Sequence, residues 1–164
     1  MQINVAQLLK SETGTVRQYT VDGELEVEGI VYPVKGDVTL INISKKILVQ
    51  GKLTANADLT CGRCLQPFST KLPLKIEEEF YPTIDVSTGL KIESPEDDEA
   101  FLIDEHHTLD LSEAIRQYIL LALPMKPLCR RDCAGICQQC GKDLNQGKCD
   151  CPVASVDPRW AELL

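Results

Sequence analysis

Six of the eight cysteines in this 164-residue chain fall between Cys129 and Cys151, spaced Cys129-x3-Cys133-x3-Cys137-x2-Cys140-x8-Cys149-x-Cys151; the other two form Cys61-Gly-Arg-Cys64. A two-residue gap lets both sulfurs of a C-x2-C pair reach one tetrahedral ion, which is the spacing of thiolate zinc sites. The segment after Cys129 has little else to hold it. Ile136, Leu144, Val153 and Val156 cannot bury enough surface to fold it. Either metal orders this segment or it is disordered.

Eight sulfurs divide into two sets of four. Cys137, Cys140, Cys149 and Cys151 make one complete local site, with Gly141 and Gly147 beside the ligands to let the backbone turn amides toward sulfur. Cys61 and Cys64 are then left with Cys129 and Cys133, an ion-mediated staple across about seventy positions of chain. Grouping Cys129, Cys133, Cys137 and Cys140 instead would strand the upstream pair. Four thiolates also hold iron–sulfur clusters, but no motif here specifies one, and ligand chemistry favours two structural Zn2+ ions. A shell of four thiolates leaves no open position for water, so the sites read as structural and not catalytic.

Disulfides are the competing use of these cysteines, and they need an oxidising compartment. The N-terminal stretch from Met1 to Lys10 lacks the basic start and apolar run of a secretory signal. Ile119 to Leu123, the longest apolar stretch, is far too short to span a bilayer. A cytoplasmic location with reduced thiols is expected, with no membrane partner.

Charge narrows the partners. The formal net charge is −8. Eight thiolates would remove eight charges and two dications return four, leaving −12. So acidic a chain is poorly suited to sequence-blind coating of nucleic acid. The acidity is concentrated: residues 76–113 hold thirteen Asp and Glu against Lys91 alone. The two cysteine-bearing regions are mildly basic. Arg63 lies inside the first pair, Lys126, Arg130 and Arg131 flank Cys129, and Lys142, Lys148 and Arg159 surround the second set. A shared ion would bring Arg63 toward Arg130 and Arg131, making a face suited to RNA backbone. Pairing of these arginines with thiolate charge and Asp132 is the equally weighted alternative.

The hydrophobic fraction of 43% supports a core, and an aromatic share of 5% makes that core aliphatic. Ile3 to Leu9 reads as a short strand running into a turn of helix. Thr15 to Val21 reads as a strand ended by an Asp22-Gly23 turn, and Ser44-Lys45 as a hairpin turn. Leu53, Ala55, Ala57 and Leu59 alternate before the first cysteine pair, and Leu72, Leu74 and Ile76 alternate after it, so the pair caps a hairpin. Pro82 to Glu99 reads as a solvated loop carrying the acidic run Glu96-Asp97-Asp98-Glu99, and Phe101 to Ile103 as a short strand. Asp110 to Leu123 reads as a helix with Asp110 and Glu113 in a capping-box relation. Its apolar face is Leu111, Ala114, Ile115, Tyr118, Ile119 and Ala122, and Pro124 ends it. The predicted fold class is α+β: an antiparallel β-meander of about five strands with one packed helix in the C-terminal half and a zinc-stapled cysteine-rich tail. The domains expected are a core at 1–128 with an acidic loop and a zinc-binding tail at 129–164.

No Gly-rich phosphate loop, nucleophile elbow or framed carboxylate pair is present, so the sequence offers nothing for catalysis and no small-molecule substrate. His106-His107 reads as an exposed pair before the helix.

The stretches Cys61-Gly-Arg-Cys64-Leu65, Leu121-Ala-Leu-Pro124-Met-Lys-Pro127-Leu-Cys129, Cys133-Ala-Gly-Ile-Cys137-Gln-Gln-Cys140-Gly-Lys-Asp-Leu-Asn145 and Asp157-Pro-Arg-Trp160 together resemble the bacterial YceD family of large ribosomal RNA subunit accumulation proteins. The resemblance runs along nearly the whole chain. Some proteobacterial members lack the C-terminal cysteine cluster, and this chain resembles the Gram-positive form that carries it. The resemblance implies a non-enzymatic role in ribosome biogenesis, in rRNA accumulation or processing, with large-subunit rRNA or a ribosomal protein as partner. Two other readings stand beside it: an acidic adaptor whose loop at 93–105 docks a basic ribosomal protein, and a thiol redox sensor that releases zinc on oxidation.

Overall fold

The structure is a computed structural model that describes residues 1–92 and 100–152. The acidic run Glu96–Glu99, Val153, Val156 and the stretch from Asp157 to Trp160, with Arg159, lie outside the described residues. Contacts divide the chain into two compact units. The first comprises Met1–Asp58 and Ser69–Pro124; the second comprises Leu59–Phe68 and the chain from Met125 onward.

The elements run β1 (Gln2–Asn4), α1 (Ala6–Leu9), β2 (Val16–Val27), β3 (Ile30–Ile43), β4 (Lys46–Thr60), β5 (Pro67–Pro82), β6 (Phe101–Ile103), β7 (Thr108–Asp110) and α2 (Ser112–Ala122). One seven-stranded sheet takes the order β1-β7-β6-β5-β4-β3-β2. The α+β class is as expected. The strand arrangement corrects the expected five-stranded antiparallel meander, because β6 pairs with β5 in parallel, Phe80 opposite Phe101. Those two rings stack with centroids 5.1 Å apart. The strand running into a turn of helix read over Ile3 to Leu9 is present as β1 and the single turn α1.

Period-two alternation produces the expected result on β4 and β5. Ile47, Val49, Leu53, Ala55 and Ala57 are buried on β4, and Leu72, Leu74, Ile76 and Phe80 on β5, while most residues between them face solvent. Each such branched or aromatic side chain contributes about 1.5–3 kcal/mol when fully buried. Helix α2 covers part of this core with Ala114, Ile115 and Ile119, all fully buried. Tyr118 fixes its position on β5: its hydroxyl accepts the Glu77 amide at 3.2 Å and donates to Glu78 Oε1 at 3.0 Å.

Two turns and a cap differ from or refine the sequence expectation. Asp22-Gly23 is not a turn. The strand runs through it, with Asp22 opposite Lys35 and their side chains paired at 2.8 Å. The chain reverses at Glu28-Gly29, where both residues are left-handed (φ 52° and 81°), the conformation a two-residue hairpin needs. Ser44 and Lys45 are the second such turn, as predicted (φ 54° and 75°). At α2 the capping box does not form. Asp110 ends β7 and accepts the Ser112 amide at 2.9 Å, while Glu113 binds Arg116 through both carboxylate oxygens at 2.7 and 2.8 Å. Asn42 on β3, only 2% exposed, donates to the carbonyls of Leu8 and Ser11 at 2.9 Å each and so closes the end of α1.

Candidate metal centres

The second unit is built on two copies of one backbone device. In Cys61-Gly-Arg-Cys64-Leu65-Gln66 the Leu65 amide donates to the Cys61 carbonyl at 3.0 Å and the Cys61 amide donates to the Gln66 carbonyl at 2.9 Å. In Cys137-Gln-Gln-Cys140-Gly141-Lys142 the Gly141 amide donates to the Cys137 carbonyl and the Cys137 amide to the Lys142 carbonyl, both at 2.9 Å. The residue after the second cysteine is left-handed in each, Leu65 at φ 57° and Gly141 at φ 74°. This tight loop points successive amides at its own first sulfur. The consequence is electrostatic: amides of Cys64, Cys129 and Arg63 hold the Cys61 thiol down at about 6 against burial, and amides of Cys140 and Gln139 hold Cys137 at about 6.

Each knuckle meets a second pair of sulfurs. The ligand atoms of Cys61, Cys64, Cys129 and Cys133 all lie within 4.8 Å of one another, and so do those of Cys137, Cys140, Cys149 and Cys151. This is the grouping expected from the spacing. Cys61 and Cys133 sulfurs are 3.8 Å apart, and Cys64 and Cys129 sulfurs 3.7 Å. All eight cysteines are free. Four thiolates about 2.3 Å from a central ion stand about 3.8 Å from each other, and these two opposite edges of the first tetrad match that length. Each tetrad could hold a metal ion.

The first tetrad is walled by a small apolar cluster. Cys61, Cys64 and Cys133 are buried, with Phe68, Leu128 and Ile136 half-buried against them. Gly62 donates its amide to the Pro127 carbonyl at 2.8 Å, which seats the approach to Cys129 on the knuckle. The thiols of the tetrads differ in how readily they ionise. Burial of its sulfur and the neighbouring thiols push Cys129 up to about 12, although the residue as a whole is exposed. In the second tetrad the Cys140 thiol and burial push Cys151 up to about 12. Burial opposes ionisation of Cys133, but Asn145 and the Gly135 amide outweigh it and lower that thiol.

Asn145 is the site residue that the sequence did not single out as one. It sits between Cys140 and Cys149, yet its Nδ2 donates to Cys133 Sγ at 3.4 Å and to Asp143 Oδ1 at 2.7 Å. Its Oδ1 accepts the Ala134 amide at 2.8 Å and Arg130 Nη2 at 2.7 Å. Its position after Asp-Leu in a loop between two cysteine pairs was the available signal, since Asn side chains there commonly bond nearby backbone.

The basic residues divide by use. Arg63 Nη1 donates to the Cys133 carbonyl at 2.9 Å. Arg130 binds Asn145 and lies 3.5 Å from Asp132. Lys142 donates to the Lys148 carbonyl at 2.8 Å. Lys126, Arg131 and Lys148 are exposed, and no ion pair involves them among the described residues. His106 is exposed as expected; His107 is half-buried and left-handed (φ 57°), with its Nδ1 buried and without a hydrogen-bond partner among the described residues.

A strand-rich α+β unit joined to a unit made of two four-cysteine centres, each fit to hold an ion, defines the class of protein. The chain belongs to the YceD family, described as large ribosomal RNA subunit accumulation proteins, whose model matches residues 49–164. It is 35% identical over 137 residues to uncharacterized proteins of Mycobacterium bovis and Mycobacterium tuberculosis, covering 78% of this chain and 59% of theirs. It is 28% identical over 152 residues to a chloroplastic YCED homologue of Arabidopsis thaliana named as a large ribosomal RNA subunit accumulation protein, covering 80% of this chain and 47% of that one. The match thus spans less than two thirds of these relatives' own length. No solved structure matches the chain. No helix among the described residues is long and apolar enough to cross a membrane.

Proposed function

We propose that this chain is a non-enzymatic cytoplasmic factor in the biogenesis of the large ribosomal subunit, acting on accumulation or processing of its rRNA. The family match carries the process, since that is what the family is named for. The two tetrads carry the molecular part: each binds one Zn2+, and the loaded second unit presents the binding face for precursor rRNA. Four sulfurs within 4.8 Å support a single ion over a cluster that spreads its thiolates across several irons. Zinc here is structural. It orders a segment whose apolar contacts, Phe68, Leu128 and Ile136, are only half-buried. Lys126, Arg131 and Lys148 are exposed cations of that unit with no ion pair among the described residues, and offer charge to phosphate.

A specific observation favours a second reading. Arg63, Arg130 and Lys142 bond within the unit, and the sheet-bearing first unit holds twenty acidic residues against ten basic ones. That balance suits an adaptor for a basic ribosomal protein. Crosslinking in cells separates the two. Predominant adducts to large-subunit rRNA are expected; adducts confined to one basic protein would replace the first reading with the second. Metal content of reduced protein, expected at two zinc ions per chain, tests the metal assignment on its own.

A further inference from the structure

Asn145, in the loop of the second tetrad, reaches a sulfur of the first. Three pieces of geometry within the second unit meet at this side chain. First, Asn145 belongs to the loop that Cys140 and Cys149 close, so an ion in the second tetrad fixes that loop's ends. Second, the loop lies along the segment that links the tetrads. Ile136 bridges to Asp143, and the Leu144 amide donates to the Gly135 carbonyl at 2.9 Å. Third, all four hydrogen-bonding capacities of the Asn145 amide are filled, and one of them is spent on Cys133 of the other tetrad.

We infer that Asn145 couples the two metal centres, so that an ion in the Cys137–Cys151 tetrad strengthens binding in the Cys61–Cys133 tetrad. An N–H donor on a ligating sulfur stabilises its anionic form and fixes its direction, and such outer partners are worth about 10–100-fold in metal affinity. Without the second tetrad to fix its ends, the loop from Gly141 to Lys148 is held by the bridge to Ile136, a few amide bonds and the exposed side-chain bonds of Lys142 and Arg130. Leu144, its sole large aliphatic residue, is half-buried. Asn145 then loses its placement, and Cys133 loses its donor. Asp143 is the positioning partner, orienting the amide so that its second N–H faces the sulfur. Coupling of this kind is reciprocal: each ion must strengthen the other by the same factor.

The inference rests on metal occupying both tetrads, as proposed above. The test is a zinc–chelator competition on the full chain, with cysteine alkylation read peptide by peptide so that each tetrad reports its own release midpoint. In the parent chain both tetrads are expected to be protected. Cys149→Ser with Cys151→Ser should weaken the first tetrad about tenfold or more, and Cys61→Ser with Cys64→Ser should weaken the second by the same factor. Asn145→Ala should weaken the first tetrad about 10–100-fold and abolish the further effect of losing the second. Asn145→Asp keeps the shape and the Oδ acceptor while replacing the sulfur-facing donor by an anionic oxygen that also faces Asp143, so it removes the donor and adds repulsion, and should weaken the first tetrad too. Equal first-tetrad midpoints in the parent chain and in the Cys149→Ser, Cys151→Ser variant would overturn the coupling. So would an unaltered first-tetrad midpoint in Asn145→Asp. Absence of zinc protection in the parent chain would instead remove the metal assignment.

Discussion

A Cβ placed on Gly135 would lie 3.2 Å from the carbonyl oxygen of Arg63 and 3.4 Å from its Cβ. Gly135 is also left-handed, at φ 78°. Two residues seventy-two positions apart therefore touch backbone to backbone, in the place where Cys133 meets the first knuckle. Gly135→Ala adds both a left-handed cost of about 1–2 kcal/mol and this collision. It should weaken metal retention by the first tetrad while far-UV circular dichroism of the strands is kept. Unchanged retention in a chelator titration would show that the approach is not needed.

Leu65 and Gly141 hold the same place in the two knuckles with different residues. Leu65→Gly removes the steric cost of a left-handed side chain and should stabilise the loaded second unit by about 1 kcal/mol. Gly141→Ala should destabilise it by a similar amount, although open space surrounds the site. Denaturant midpoints with zinc present check the opposite signs.

Metal binding should release fewer than eight protons at pH 7.5. Cys61 and Cys137, held at about 6, are already ionised there, whereas Cys129 and Cys151, pushed up to about 12, must each give up a proton. The folded values of Cys61 and Cys137 lie below the ordinary 9.0, so their ionisation favours the folded unit above that value and the benefit is lost as pH falls through 6. Zinc affinity should drop steeply below pH 6. Calorimetric titration in buffers of different ionisation heat gives the proton count, and a count of eight or of zero contradicts this division.

Asn42→Ala leaves the Ser11 carbonyl without its side-chain donor and the Leu8 carbonyl with only the Ser11 amide and hydroxyl, beneath a 2%-exposed side chain. The expected loss is about 1–3 kcal/mol of stability in the first unit, read as a lower thermal midpoint with zinc binding by the second unit unchanged. A midpoint equal to that of the parent chain would mean water replaces the amide.

What was legible in the sequence is what local chemistry determines. The cysteine grouping follows from how far a two-residue gap can reach, and the burial of β4 and β5 from strict alternation. Ser44-Lys45 was readable as a turn because two apolar runs flank it. Asp22-Gly23 carried a turn signal that pairing overrode: inside a twelve-residue strand, with Lys35 opposite, Asp22 is an ordinary exposed cross-strand partner. Three-residue β7 has no period to detect, and its pairing to β1 is a long-range event. Asn145 and Gly135 were present in the motif, but their roles depend on which segments meet, and spacing along the chain does not contain that.

The first tetrad draws its ligands from both sides of a long intervening stretch, and Cys64 and Cys129 are separated by 65 positions. A polypeptide emerging from its N-terminus at about 5–20 residues per second leaves the upstream pair waiting roughly 3–13 s for its partners. During that interval the strands from β5 onward and α2 must be laid down, with two thiols open to any scavenging ion or oxidant. Assembly of this tetrad is therefore a late event in the birth of the molecule, since it cannot precede the synthesis of Cys133.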